Sequence, residues 1–268
     1  MHQDRIRSAE ADGAYLPSPS EVGSGLGRGV RSASAGLGGK VVSLDLNSAT
    51  LAPLLVSILG NQRMMRLVGP LHSPYTRRVA ISLQLMGLEF SHEKLSVRGD
   101  PEKFAAINPV KRAPTLVLDD GVVLMESSLI LAYLERLVPP ERSLMPQDIR
   151  DFARAQRIAA LGLAACDKGV VVALEGAARP AEKRHQPVVD TALGQVHAAF
   201  RLLEAEIGGG SGWFFGSRVM QADITTAMAW RLSQHVMADS VTPAQFPKLS
   251  AFAARAEQLP EFVATRPA

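Results

Sequence analysis

The sequence predicts an α/β domain followed by an all-α half, with an N-terminal extension that belongs to neither. Three observations predict this. From Met64 to Val138, strand-like and helical patterns alternate in the order β-α-β-α-β-β-α. After residue 147 every periodic stretch is helical. Before residue 64 the chain is different in kind: Ser18 to Lys40 is dense in Gly, Ser and Ala, with little hydrophobic periodicity.

Each element has a local reason. Residues 1–63 are expected to form a disordered extension, with a weak helix over Leu51 to Leu59 interrupted by Pro53, and the start of the chain is read as an upstream start site. Arg66 to Gly69 is a first strand. Tyr75 to Met86 places Val79, Ala80, Leu83 and Met86 at helical spacing, and Gly87 ends that helix. Phe90 to Leu95 is a second strand. Pro101 to Ala106 is a short helix with Asp100 as its N-cap and Pro101 at the first helical position. Thr115–Leu118 and Val122–Leu124 form a hairpin across Asp119-Asp120-Gly121. Ser127 to Val138 is a third helix, stopped by Pro139-Pro140. A linker covers 139–147 and separates a domain at 64–138 from a helical half at 148–268. In that half, helices are expected over Asp148–Glu175, bent near Gly162 or Gly169, and over Glu182–Ile207, Gln221–Met237 and Pro247–Leu259.

Composition narrows the function classes. Of 268 residues 47% are hydrophobic, enough for a sizeable core, and the net charge of +3 comes from dispersed Lys and Arg, which argues against a nucleic-acid partner. The single cysteine, Cys166, excludes an internal disulfide and a Cys-x-x-Cys redox pair; within its apolar helical stretch it reads as a small buried hydrophobe. The six histidines show no metal-ligand spacing, and no Gly-rich phosphate loop follows a strand. No apolar run reaches the roughly 18 residues of a membrane span. A reducing, cytoplasmic location is expected.

Pro114 anchors the functional reading. It opens a Val/Leu strand, where a residue without an N–H must stand at a strand start or an edge. A cis Ala113–Pro114 bond would turn the Ala113 backbone outward, toward an extended ligand. The string Asn108-Pro109-Val110-Lys111-Arg112-Ala113-Pro114-Thr115-Leu116-Val117-Leu118, followed by Glu126-Ser127 twelve residues after Pro114, resembles the glutathione-binding half of glutathione transferases. The resemblance covers about Met64 to Phe262 and is to the bacterial type with a serine at the first strand-to-helix turn. It implies a thioredoxin-like N-terminal domain, an all-α C-terminal domain and a homodimer.

Site residues follow from the resemblance. Ser73, in His72-Ser73-Pro74-Tyr75, is plainly a helix N-cap with Pro74 behind it. The same position suits an anion, because backbone N–H groups and the helix dipole converge there. A free thiol has a pKa of about 8.5, and a hydroxyl donating to sulfur lowers it. Ser73 is thus implied as thiolate activator, with Tyr75, Thr76 or a backbone N–H as alternative donors. Glu126 reads as a solvated loop residue and Ser127 as a cap; the resemblance adds that Ser127 binds the γ-glutamyl carboxylate and Glu126 the amino group. Arg112 aligns with a basic residue near the glycine end of glutathione, and Lys111 stands where a small residue is common, so either is open as the contact. Asp223, three residues after Met220, is structural, reaching back to the cap N–H with Val219 and Ile224 as a hydrophobic staple.

The activity implied is attack of glutathione thiolate on a small hydrophobic electrophile, a detoxification chemistry, with glutathione as co-substrate, no metal and no membrane. The electrophile is expected against Leu71-His72 and the apolar side chains of Ala159 to Cys166. Two alternatives stand beside it. One is glutathione-dependent isomerisation or dehalogenation, against which His72-Ser73-Pro74 departs from the Ser-Ser-Cys-like run of the isomerases. The other is a non-catalytic glutathione-binding or scaffold protein.

Overall fold

The computed structural model describes residues 64–267 apart from 209 and 211. The expected extension over 1–63, with its weak helix, lies outside the described residues. Four strands make one mixed sheet: β1 (Met65–Val68), β2 (Phe90–Glu93), β3 (Thr115–Val117) and β4 (Val123–Met125), in the order β2-β1-β3-β4. β1 runs parallel to β2, pairing Leu67 with His92, and antiparallel to β3, pairing Leu67 with Leu116. The β3–β4 hairpin pairs Leu116 with Leu124. The helices of this half are α1 (Pro74–Leu85), α2 (Pro101–Ile107) and α3 (Ser127–Leu134). The helical half follows with α4 (Ile149–Ala177), α5 (Gln186–Glu206), α6 (Gln221–Val236), α7 (Pro247–Ala256) and α8 (Pro260–Ala264).

The predicted order is therefore present, and the differences are local. The third helix ends at Leu134 rather than Val138, giving way to turns before Pro139. The helix expected from Glu182 begins at Gln186, because Pro187 can occupy only a first turn; Ala181–Lys183 forms a separate 3₁₀ turn. The last predicted helix ends at Ala256 rather than Leu259, and a further short helix, α8, not expected from the sequence, starts at Pro260. Asp100 does not cap α2 through its side chain; its carboxylate accepts instead from the Ser96 N–H at 3.1 Å.

α4 is one continuous helix of 29 residues through Gly162 and Gly169. Gly162 serves contact rather than bending. A Cβ there would stand 3.0 Å from Thr225 Cγ2 and 3.2 Å from the Thr225 carbonyl oxygen, so glycine lets α4 and α6 approach backbone to side chain. Val79, Leu83, Leu116 and Ile130 of the first half share one buried core with Ile158, Phe200, Ile224 and Phe252 of the second. Burying each such side chain contributes about 1.5–3 kcal/mol. Asp223 is fully buried and accepts from the Met220 N–H at 2.8 Å and the Phe214 N–H at 2.9 Å. Burial nonetheless pushes its carboxyl up to about 6, because the lost hydration outweighs those two bonds.

Candidate functional site

An open cleft of about 500 Å³ is lined by Ser73 and Tyr75 of the first helix turn, Lys111 to Pro114, Glu126-Ser127, Arg98, and Asp167 and Val170 of α4. The fold thus brings every sequence-predicted site residue to one place: Ser73, Arg112, Ala113, Pro114, Glu126 and Ser127 all line it.

The β1–α1 turn positions Ser73. Its backbone is extended (φ −71°, ψ 122°), its N–H is held by the Pro70 carbonyl at 3.1 Å, and its Oγ accepts from the Thr76 N–H at 3.4 Å. Acting as acceptor there, the hydroxyl keeps its own proton for another partner. The alternative donors are placed less well. Tyr75 donates its phenol proton to the Asp167 carboxylate across the cleft, and burial, then that bond, hold its proton well above the ordinary tyrosine range. Thr76 is buried and does not line the cleft.

Asn108 fixes the opposite wall. Its side chain accepts from the Val110 N–H at 3.0 Å and donates to Thr115 Oγ1 at 2.8 Å; Thr115 in turn donates to the Arg112 carbonyl at 2.7 Å. The Ala113–Pro114 bond is cis. Among the described residues the Ala113 N–H and C=O make no hydrogen bond, so both are available at the cleft. Gly69 faces this segment at φ +143°, where a Cβ would stand 2.7 Å from Thr76 Oγ1 and 3.2 Å from the Ala113 Cβ. Only glycine lets β1 end so close to both. Lys111 takes a left-handed conformation (φ 52°), which explains why a small residue would be expected there.

The cap of α3 falls on Glu126 rather than on Ser127. Glu126 is the N-cap of α3, at φ 72°, and its carboxylate accepts from the Ser128 N–H at 3.1 Å and the Leu129 N–H at 3.2 Å. Ser127 is the first helical residue and is buried at the cleft floor. α3 starts one residue earlier than a serine cap requires, so the second and third N–H groups of the helix, those of Ser128 and Leu129, fall to the glutamate.

Sequence reasoning missed Arg78. It is 3% exposed and donates from Nη1 to Ser127 Oγ at 3.2 Å and to Ser128 Oγ at 3.3 Å. Ser82 Oγ donates to the Arg78 carbonyl at 2.7 Å, so it can only accept from Gln221. Gln221 therefore turns its amide nitrogen to Ser82 (2.9 Å) and its oxygen to the Arg78 Nε (3.3 Å) and Nη2 (3.2 Å). All these partners are neutral, and Arg78 has no ion pair among the described residues. Burial pulls its guanidinium down to about 10, still charged at neutral pH. A basic residue in an amphipathic helix gives no sequence signal of this kind; only the packing of α1 between α3 and α6 buries it.

Of the expected electrophile wall, His72 lines the cleft and the α4 part does not. Ile158, Ala159, Ala165 and Cys166 belong to the core, and α4 reaches the cleft one turn later, with Asp167 and Val170. Burial pushes the Cys166 thiol up to about 12, so it stays protonated. Among the described residues no group of three His, Cys, Asp or Glu could hold a metal ion, and no helix is long and apolar enough to cross a membrane.

Comparisons with known proteins agree with this geometry. Residues 67–142 match the family model for the glutathione S-transferase N-terminal domain, and residues 166–260 that for the C-terminal domain, together more than half of the chain. The chain is 32% identical over 123 residues to the "uncharacterized GST-like protein YibF" of Escherichia coli, covering 46% of this chain and 59% of that protein. It is 32% identical over 102 residues to maleylacetoacetate isomerase of Pseudomonas aeruginosa, covering 36% of this chain and 48% of the relative. These matches span only about half the length of the curated relatives. Among solved structures, a glutathione S-transferase from Methylobacterium radiotolerans in complex with glutathione sulfonate superposes with a TM-score of 0.71 at 26% identity, over 76% of this chain and 95% of that one.

Proposed function

The chain belongs to the glutathione S-transferase family, and on that premise we propose that it joins the thiolate of glutathione to a small electrophile. The observation that carries this reading is Arg78. A buried cation with no ion pair among the described residues, and only the Glu126 carboxylate acting on it from further off, is costly, and it stands directly behind Ser127 on the floor of the cleft. An anionic group bound at Ser127 completes it. Ser127 Oγ accepts from Arg78 at 3.2 Å and its hydroxyl donates to the Glu126 carboxylate at a long 3.4 Å; in this reading the proton turns from Glu126 to the γ-glutamyl carboxylate when the ligand binds. Glu126, half-buried beside it, takes the γ-glutamyl ammonium. The exposed edges of Ala113 receive the cysteinyl backbone, and Arg112 or Lys111 meets the glycine carboxylate.

The sulfur then lies toward Ser73. The hydroxyl donates to it, the thiol proton leaves to solvent, and the thiolate forms a C–S bond as the electrophile's leaving group departs or its π-bond accepts the electron pair. No covalent enzyme intermediate forms. Ser73 is the preferred donor because Tyr75 already donates to Asp167 and Thr76 is buried. The reading includes a cytoplasmic homodimer acting in detoxification, for which family membership is the support.

Ser73→Ala tests it: kcat falls about 100-fold, as for loss of one donor to a developing anion. The glutathione dissociation constant changes little, and the pH profile of kcat moves up toward the free-thiol value of about 8.5. Unchanged turnover removes Ser73 from this role. The isomerase relative supports a second reading, glutathione-dependent isomerisation on the same scaffold. Turnover of a cis-enone without net consumption of glutathione would select it. Glutathione binding without turnover of any electrophile would select the scaffold reading.

A further inference from the structure

A second cavity, of about 420 Å³, borders the Ser73 turn. His72 and Pro74, which flank Ser73, both line it, and His72 also lines the first cleft. The two cavities therefore meet at His72, beside the proposed sulfur-activating residue. The remaining wall comes from Leu71, Arg77, Pro267 and the second half of α6.

That wall has a defined chemistry. Leu71, Pro74, Met228 and Leu232 make it apolar, while Arg231 and His235 add polar groups four residues apart on one face of α6. Among the described residues no carboxylate lines the cavity. Arg77, which also borders it, is neutralised by Glu257 through bonds of 2.6 and 2.8 Å. Glu257 is also the acid in the groove that Arg231 and His235 share on their far side, so it is already committed. Among the described residues neither Arg231 nor His235 makes a side-chain hydrogen bond or ion pair, and both are exposed. A basic last turn suits a helix dipole. The dipole does not explain why the two side chains border an apolar cavity that opens at the Ser73 turn.

We propose that this cavity receives the electrophile, and that it selects an apolar electrophile bearing a carboxylate, with Arg231 and His235 holding the carboxylate and the Leu71–Leu232 surface holding the carbon skeleton. The proposal rests on the glutathione reading above and adds the substrate class to it. With a chloronitroaromatic carboxylate the step is complete as written. The thiolate forms a C–S bond at the carbon bearing chlorine, the C–Cl bond breaks, chloride leaves, and the thiol proton goes to solvent.

The test compares 4-chloro-3-nitrobenzoate with the neutral 4-chloro-3-nitrobenzamide in the full chain and in its R231Q/H235Q variant. The ratio of kcat/KM values for acid over amide is expected to fall about tenfold in the variant, the loss typical of a charge-assisted contact. Because the ratio is taken within each protein, a general loss of activity cancels. An unchanged ratio overturns the proposal even though glutathione turnover persists. If neither compound is turned over, calorimetric binding of 4-chloro-3-nitrobenzoate to the same two proteins decides it: equal binding, or none, overturns it. Glutathione titrated separately into the full chain reports on the glutathione reading alone.

Discussion

Arg77 and Arg78 are consecutive on α1 and both are buried, yet they meet opposite surroundings. Arg77 faces the C-terminal tail. It forms a forked ion pair with Glu257, donates from Nε to the Thr265 carbonyl at 3.0 Å and from Nη2 to the Phe262 carbonyl at 2.9 Å. Arg78 faces the cleft and meets only hydroxyls and an amide oxygen. One charge is balanced inside the protein; the other is left for whatever occupies the cleft. Burial of a charge alone therefore does not distinguish a structural lock from a binding element. The identity of its partners does.

The largest expected effect breaks the internally balanced side. Arg77→Met leaves Glu257 only its looser pairing with Arg266 at 4.0 Å and strips the Thr265 and Phe262 carbonyls of their donor, and it costs about 3–5 kcal/mol of stability, measured by urea denaturation. A loss below 1 kcal/mol would mean that water replaces the guanidinium freely. Arg78→Met sharpens the contrast. Removing a buried cation whose partners are all neutral leaves stability nearly unchanged, while glutathione affinity falls by about 1.5–3 kcal/mol, read by calorimetry. If Arg78→Met instead unfolds the protein as Arg77→Met does, the distinction between the two arginines is wrong. The smallest effect is at Lys111, an exposed cation on the cleft wall. Lys111→Gly relieves the left-handed backbone and raises stability by about 1 kcal/mol. It weakens glutathione binding by less than about 1 kcal/mol, because an exposed charge is screened by water.

What could be read in advance divides along the same line. The β-α-β-α-β-β-α order, the Ser73–Pro74 helix start and the β3–β4 hairpin depend on residues adjacent in sequence, and the structure contains all of them. The site residues were accessible because Ala113-Pro114 and Glu126-Ser127 recur in fixed order around the hairpin. Which of Glu126 and Ser127 caps α3 was not accessible, since both are competent caps and the choice depends on where the helix begins. Arg78 was missed because its burial is made by Ser127 and Gln221, 49 and 143 positions away in sequence. That Ala159, Ala165 and Cys166 are buried rather than at the cleft has a related reason. Ala159 to Cys166 are apolar on a long helix, and periodicity alone does not say which neighbour an apolar face meets; here it meets the core.

The central claim is that the cleft takes glutathione with its γ-glutamyl carboxylate against Ser127 and Arg78. The most direct measurement is calorimetric titration of the full chain with glutathione and with γ-aminobutyryl-cysteinyl-glycine, which lacks only that carboxylate. Glutathione should bind and the analogue should bind at least about tenfold more weakly, the cost of leaving a buried cation without its partner. Equal binding of the two, or no binding of glutathione by the folded protein, would contradict the account.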